Sequence, residues 1–182
     1  MFHHCNLNVY VNLSQNNYST KTKHMLVMRY NLGMYKVEKV ILTKSIMEEL
    51  IELSKAWKDE AISYGIVPNT KQDFVGKDIY VSYNSNNKII GYLLCSFYVE
   101  EKEAPTIPLG SKTCFVDEIY VLKRYRNKGI GTLLFKKMEE DVKDKCEYIK
   151  LVTSTKDHNK IIHFYEDILK MNFWSACFFK KV

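Results

Sequence analysis

The sequence predicts a single mixed α/β domain with its elements in the order β-α-β-β-β-α-β-α-β. Three observations predict it. Strand-like stretches alternate with stretches of helical period from Met34 onward. Two neighbouring strand-like stretches flank the hairpin-type turn Asn84-Ser85-Asn86-Asn87. A glycine-bearing turn over residues 126–131 joins a strand directly to an amphipathic helix. A length of 182 residues suits one continuous core, and 46% hydrophobic with 13% aromatic residues supply enough apolar surface to offset the entropy of ordering the chain.

Residues 1–33 hold Asn6, Asn8, Asn12, Asn16, Asn17 and Asn31 among scattered Ser and Thr, show no sustained period, and read as an N-terminal extension to a domain over 34–182. Met34 is a candidate biological start; the alternative is an extension that packs on a partner or stays mobile. Tyr35 to Leu42 is β-prone and partly alternating, the first strand. Thr43 is placed to cap a helix whose apolar positions Ile46, Leu50, Leu53, Trp57 and Ala61 step by three or four. Gly65, Pro68 and Asn69 break that pattern. Asp78 to Tyr83 and Lys88 to Val99 then form the predicted antiparallel hairpin.

A polar loop with Glu100, Glu101, Glu103, Pro105 and Pro108 leads to a strand over Thr113 to Val121, largely apolar but interrupted by Asp117 and Glu118. Gly129 to Lys145 reads as a helix with Ile130, Leu133, Leu134, Met138 and Val142 on one face. Tyr148 to Thr153 is a short strand, Asn159 to Lys170 a third helix, and Phe173 to Phe179 a last strand.

Several function classes fall away on composition. No apolar run reaches membrane-spanning length and the N-terminus lacks a signal-peptide layout, so a soluble cytoplasmic protein without a membrane partner is expected. Cys5, Cys95, Cys114, Cys146 and Cys177 are far apart with no C-x-x-C pair, which argues for reduced thiols and against a zinc knuckle. His3 and His4 have no third ligand nearby, and no metal is expected. The charge of +6 comes mostly from dispersed Lys, without the concentrated stripe that nucleic acid requires. Tyr80, Tyr83, Tyr92 and Tyr98 have the spacing of ordinary sheet packing rather than of a base-stacking platform.

The chemistry-bearing motif is Arg126-Asn127-Lys128-Gly129-Ile130-Gly131, an R-x-x-G-x-G turn between the strand ending at Val121 and the helix opening near Gly129. Glycines there allow close backbone approach and leave N–H groups pointing outward at the positive end of a helix dipole, a ready anion site. The spacing matches neither the dinucleotide-binding nor the P-loop glycine pattern. The stretch from Val116 to Leu134 (VDEIYVLKRYRNKGIGTLL) resembles the acetyl-CoA signature of the GCN5-related N-acetyltransferase (GNAT) superfamily. Asn159 to Glu166 (NKIIHFYE) resembles a second family segment, N-x-x-A-x-x-F-Y-E, with the asparagine one position late, Ile161 at the usual small residue, and Asn172-Phe173 where the family has G-F.

The resemblance implies the GNAT fold, a central and mostly antiparallel mixed sheet with flanking helices, and acetyl-CoA as cosubstrate. It implies pantetheine contacts at Ile119, Tyr120 and Val121. It implies pyrophosphate contacts at Arg126, Asn127, Lys128, Gly129, Ile130, Gly131 and Thr132, and a cofactor contact at Asn159. Acetyl transfer also needs a base, because a lysine-like amine has a pKa of about 10.4 and is protonated at neutral pH. Glu118 or Asp117 is the candidate, directly or through a water; alternation puts the two on opposite faces. Tyr165 is the candidate acid for the departing thiolate, a role that the family commonly gives a tyrosine here. A backbone N–H of the strand around Val121 is the expected oxyanion donor.

The expected activity is acetyl transfer to a primary amine, of a small molecule or a protein, through a ternary complex. The alternative is a non-catalytic CoA sensor of the same fold. The loop acids Glu100, Glu101 and Glu103 favour a cationic acceptor. The protein is expected to be a monomer or a homodimer.

Overall fold

The computed structural model describes residues 35–180. The readings of the extension 1–33, of Met34 and of the His3-His4 pair lie outside the described residues. The chain forms β1 (Lys36–Val40), α1 (Lys44–Asp59), β2 (Asp78–Tyr83), β3 (Ile89–Val99), β4 (Lys112–Val121), α2 (Ile130–Val142), β5 (Tyr148–Leu151) and α3 (His158–Ile162). A π-helical turn, His163–Ile168, continues α3, and short 3-10 turns lie at Lys71–Phe74 and Lys123–Tyr125. This is the expected mixed α/β fold. The five strands are ordered β1-β2-β3-β4-β5 in one sheet. The first three pairings are antiparallel and β4 with β5 is parallel, joined by α2 as a crossover.

Local chemistry explains the boundaries. Thr43 caps α1 as its position predicts, its Oγ1 accepting from Ile46 N–H at 3.3 Å. Ala61, expected as the last apolar position of that helix, lies beyond it with φ 51°. The hairpin turn is organised by Asn84, whose Oδ1 accepts from the amides of Asn86 and Lys88 at 2.9 and 3.1 Å.

The sheet is covered on both faces. Leu50 and Leu53 of α1 pack on Ile79, Val81, Tyr92, Leu94 and Tyr120. Ile130, Leu134, Phe135, Met138 and Val142 of α2 pack on Tyr80, Ile90, Leu93, Cys95, Cys114 and Val116. Strand alternation delivers these two sets, but β4 switches faces midway. Leu94 opposes Glu118 while Cys95 opposes Val116, so Asp117 is one residue more than β3 can match. Cys114 and Val116 therefore join the α2 side, whereas Tyr120, three positions after Asp117, joins the α1 side.

Two expectations fail. The last strand, Phe173 to Phe179, does not form: the segment is irregular and exposed, with Phe178 at 92%. A strand needs a ladder partner, and the outer edge of β5 offers four residues, too few for their hydrogen bonds to offset the cost of ordering seven. The third helix, predicted as α-helical to Lys170, changes to π geometry at His163. Leu169 N–H reaches back five residues to Phe164 O at 3.0 Å, and Met171 N–H closes on Tyr165 O at 2.9 Å around Lys170 at φ 61°.

Gly91 sits where β3 and β4 come closest: a Cβ there would lie 2.9 Å from Tyr120 O and 3.1 Å from Val121 Cγ2. Gly91→Ala is expected to destabilise the protein by about 1–3 kcal/mol, because the overlap is with backbone that cannot move alone. Chemical denaturation of the two proteins checks this.

Candidate active site

β4 and β5 part company early. Their pairing runs from Thr113 opposite Tyr148 to Val116 opposite Leu151 and stops there. From Asp117 to Val121, β4 keeps its partner β3 and has no ladder on its other side. The bulge falls where the parting begins, so the candidate carboxylates sit at the mouth of the gap between the strands.

The two carboxylates find different partners. Glu118 Oε2 accepts from Asn69 Nδ2 at 2.8 Å and from the Tyr92 hydroxyl at 2.7 Å. Asp117 Oδ1 pairs with Lys77 Nζ at 3.2 Å, while its Oδ2 is buried without a donor among the described residues. Burial, and then the adjacent Glu118 charge, push the Tyr92 phenol well above its ordinary range, so Tyr92 stays a donor to Glu118. The two carboxylates thus sit in different settings, Glu118 among neutral donors and Asp117 in an ion pair.

The R-x-x-G-x-G turn opens α2. Asn127 and Gly129 both adopt left-handed backbone, φ 59° and 79°, and Gly129 is the residue from which the helix starts. The first amide to bond back within the helix is that of Leu133, to Gly129 O at 3.0 Å. The amides of Ile130, Gly131 and Thr132 thus have no acceptor in their own helix and carry its positive end. Gly131 serves a second purpose: a Cβ there would meet Phe164 Cζ at 3.2 Å. The π-helical turn that carries Tyr165 therefore packs on the first turn of α2, which brings the second sequence signature to the first.

Arg126 is engaged within the fold. Its Nη1 and Nη2 donate to the two oxygens of Glu60 at 2.7 and 2.9 Å, and its Nε donates to Val121 O at 2.8 Å. The Tyr120 hydroxyl donates to Glu60 Oε1 at 2.7 Å, and Trp57 stacks on Tyr120 at 5.3 Å between centroids. Arg126 thus ties the end of β4 and the start of the turn to the C-terminal end of α1. Tyr120 is held in this network with its ring on the α1 side, while Ile119 and Val121 pack toward α2.

Tyr165 is partly buried, and burial pushes its phenol up to about 12. The group is a proton donor throughout the neutral range. Asn159, on α3, is exposed; its carbonyl accepts from the His163 N–H, and its side chain makes no hydrogen bond with a described residue. Glu100, read as part of an acidic acceptor loop, accepts instead from Lys150, Tyr98 and Thr113 beside β5. Sequence reasoning missed Glu60, Asn69 and Tyr92. Their contacts to Arg126 and Glu118 span 66, 49 and 26 residues, and no local pattern announces such pairs.

Comparison with known proteins places the chain. The profile of the Acetyltransferase (GNAT) family matches residues 43–171, and the chain belongs to that family. No curated protein sequence matches this one. Among solved structures, a Trypanosoma brucei acetyltransferase is 18% identical with a TM-score of 0.56, covering 81% of this chain and 100% of its own. An aminoglycoside acetyltransferase from an uncultured soil metagenomic sample, in complex with trehalose, is 15% identical with a TM-score of 0.60 over 83% and 98%. A ribosomal-protein-alanine N-acetyltransferase from Brucella melitensis is 16% identical with a TM-score of 0.55 over 81% and 99%. At these identities the likeness is one of fold.

The fork between Glu60 and Arg126 is expected to register as a coupling in a double-mutant cycle. Glu60→Ala and Arg126→Ala should each destabilise, and the double variant should lose less than their sum by about 0.5–3 kcal/mol. Additive losses by thermal or chemical denaturation would show that the fork contributes no stability of its own.

Proposed function

We propose that the protein is an acetyl-CoA-dependent N-acetyltransferase that moves the acetyl group to a primary amine, of a small molecule or a protein, by direct attack in a ternary complex. One observation carries the reading: β4 combines a free backbone edge, a hydrogen-bonded carboxylate at Glu118, and a glycine-started helix at its end. The free amides at the start of α2 suit a pyrophosphate, and the unpaired edge from Asp117 to Val121 suits an extended amide-bearing arm. Acetyl-CoA supplies an activated thioester and both of those features.

The residues divide the proton work. An aliphatic ammonium must lose a proton before its nitrogen can attack, and Glu118 accepts that proton directly or through a water. A backbone N–H near Val121 stabilises the oxygen that gains charge as the carbon–nitrogen bond forms. The carbon–sulfur bond then breaks, and Tyr165 gives its proton to the departing sulfur. The acceptor surrenders two protons in all: one leaves through Glu118 to water, and the other restores Tyr165. Arg126 organises the turn through Glu60, and Gly129, with Gly131, gives the helix start its shape.

Calorimetric titration with acetyl-CoA is expected to show micromolar binding, lost when Gly129 and Gly131 are both replaced by valine. Thiol release should follow when primary amines are added, with an aminoglycoside, a polyamine and a peptide as the first panel. Binding without thiol release for any amine would instead define a CoA sensor, and no binding at all would overturn the assignment. Tyr165→Phe is expected to lower kcat by about 100-fold with acetyl-CoA affinity unchanged, since it deletes one proton transfer and no binding contact. With the phenol at about 12, the wild-type rate should show no alkaline loss from this group below about pH 11.

A further inference from the structure

We propose that Asn69 and Tyr92 are positioning residues for Glu118: together they occupy one carboxylate oxygen and leave the other as the only one offered to an incoming ammonium group. The inference rests on reading Glu118 as the base.

Both donors converge on the same atom. Asn69 Nδ2 and the Tyr92 hydroxyl each donate to Oε2, at 2.8 and 2.7 Å, while Oε1 accepts from no described residue. Glu118 as a whole is half-buried, so the residue reaches the protein surface. A carboxylate held through a single oxygen cannot rotate without losing both bonds, which fixes the direction of its free lone pairs.

The donors are themselves held. Asn69 is buried, at 7% exposure, in the loop that follows α1. Its amide N–H donates to Ser54 Oγ at 2.8 Å, and Ser54 Oγ donates onward to Ile51 O at 2.8 Å. The chain of bonds therefore runs from the body of α1, through the loop, to β4. Tyr92 is fully buried on β3 between the α1 core and Tyr120. Neither donor can swing away, and neither carries a charge that would compete for a cationic acceptor.

Two other carboxylates are already paired. Asp117 is held by Lys77 and Glu60 by Arg126, while Tyr120 donates to Glu60. The hydrogen-bond donors to Glu118 among the described residues are neutral. An ammonium group approaching this face thus meets one free oxygen bearing an uncompensated charge.

The test is a crystal structure of Tyr92→Phe beside one of the wild type, with steady-state kinetics of both. With one of its two bonds gone, the Glu118 carboxylate should no longer hold a single orientation, and kcat/KM for a primary amine should fall about 10-fold while acetyl-CoA affinity is unchanged. Asn69→Ala, verified as folded by its melting transition, should have the same effects and serves if Tyr92→Phe does not fold. A carboxylate that keeps its wild-type orientation in a folded variant overturns the clamp. A reoriented carboxylate in a protein that acetylates no amine upholds the clamp and refutes the reading of Glu118 as the base.

Discussion

The extra residue at Asp117 is the constraint on which the rest of the site depends. Before it, alternate β4 side chains serve the α2 core; after it, the even positions turn to the α1 side. Without the bulge, the face of Glu118 would be occupied by the residue one place along, and the carboxylate would be driven into the apolar contacts of α2. Burying it there without partners would cost several kcal/mol at the least, on the order expected for an unpaired polar group. The bulge thus converts a run of core residues into a run that shows its polar side chain to the loop that carries Asn69. It also coincides with the end of the β4–β5 ladder, so one local irregularity both aims the carboxylate and frees the strand edge.

Around that point the fold spends its polar side chains on long-range ties rather than on solvent. Ser54, Asn69, Tyr92 and Glu118 form one chain of bonds across the α1 face; Glu60, Tyr120 and Arg126 form another. Tyr92 and Tyr120 belong to different chains, yet their rings are 6.0 Å apart. The loop between α1 and β2 is pinned at Asn69 and again at Tyr64, whose amide donates to Ser154 O at 2.8 Å. A loop held at both points presents a defined surface beside Glu118, which is what a site that must orient an acceptor needs.

Much of this architecture was legible because it rests on short-range rules. A threonine before an apolar repeat predicts a cap, an asparagine cluster between two alternating runs predicts a hairpin, and R-x-x-G-x-G between strand and helix predicts the start of α2; each holds. The failures share a different cause. Period-2 reasoning cannot see an inserted residue, so β4 reads as one regular strand. An apolar run such as Phe173 to Phe179 looks like a strand whether or not an edge is free to receive it. The helix at Asn159 has an unremarkable sequence, and its change to π geometry is settled where Phe164 seats against Gly131. Glu118 and Tyr165 were visible as candidates, but the partners that give Glu118 its direction were not, since Asn69 and Tyr92 have meaning only once the sheet is assembled.

Arg126 is the residue of the motif whose side chain is committed within the fold. Its guanidinium makes two short bonds to one carboxylate and a third to the backbone of the strand it follows. To bind a phosphate instead, it would have to leave Glu60 with the Tyr120 hydroxyl as its one remaining partner among the described residues and give up its own bond to Val121 O. The exchange gains little, since one charge-assisted fork replaces another. The helix start is left with amides that have no acceptor among the described residues, and with the exposed Lys128 beside them. The arginine of the motif thus serves to tie strand, turn and α1 together, and the positive end of α2 stays open.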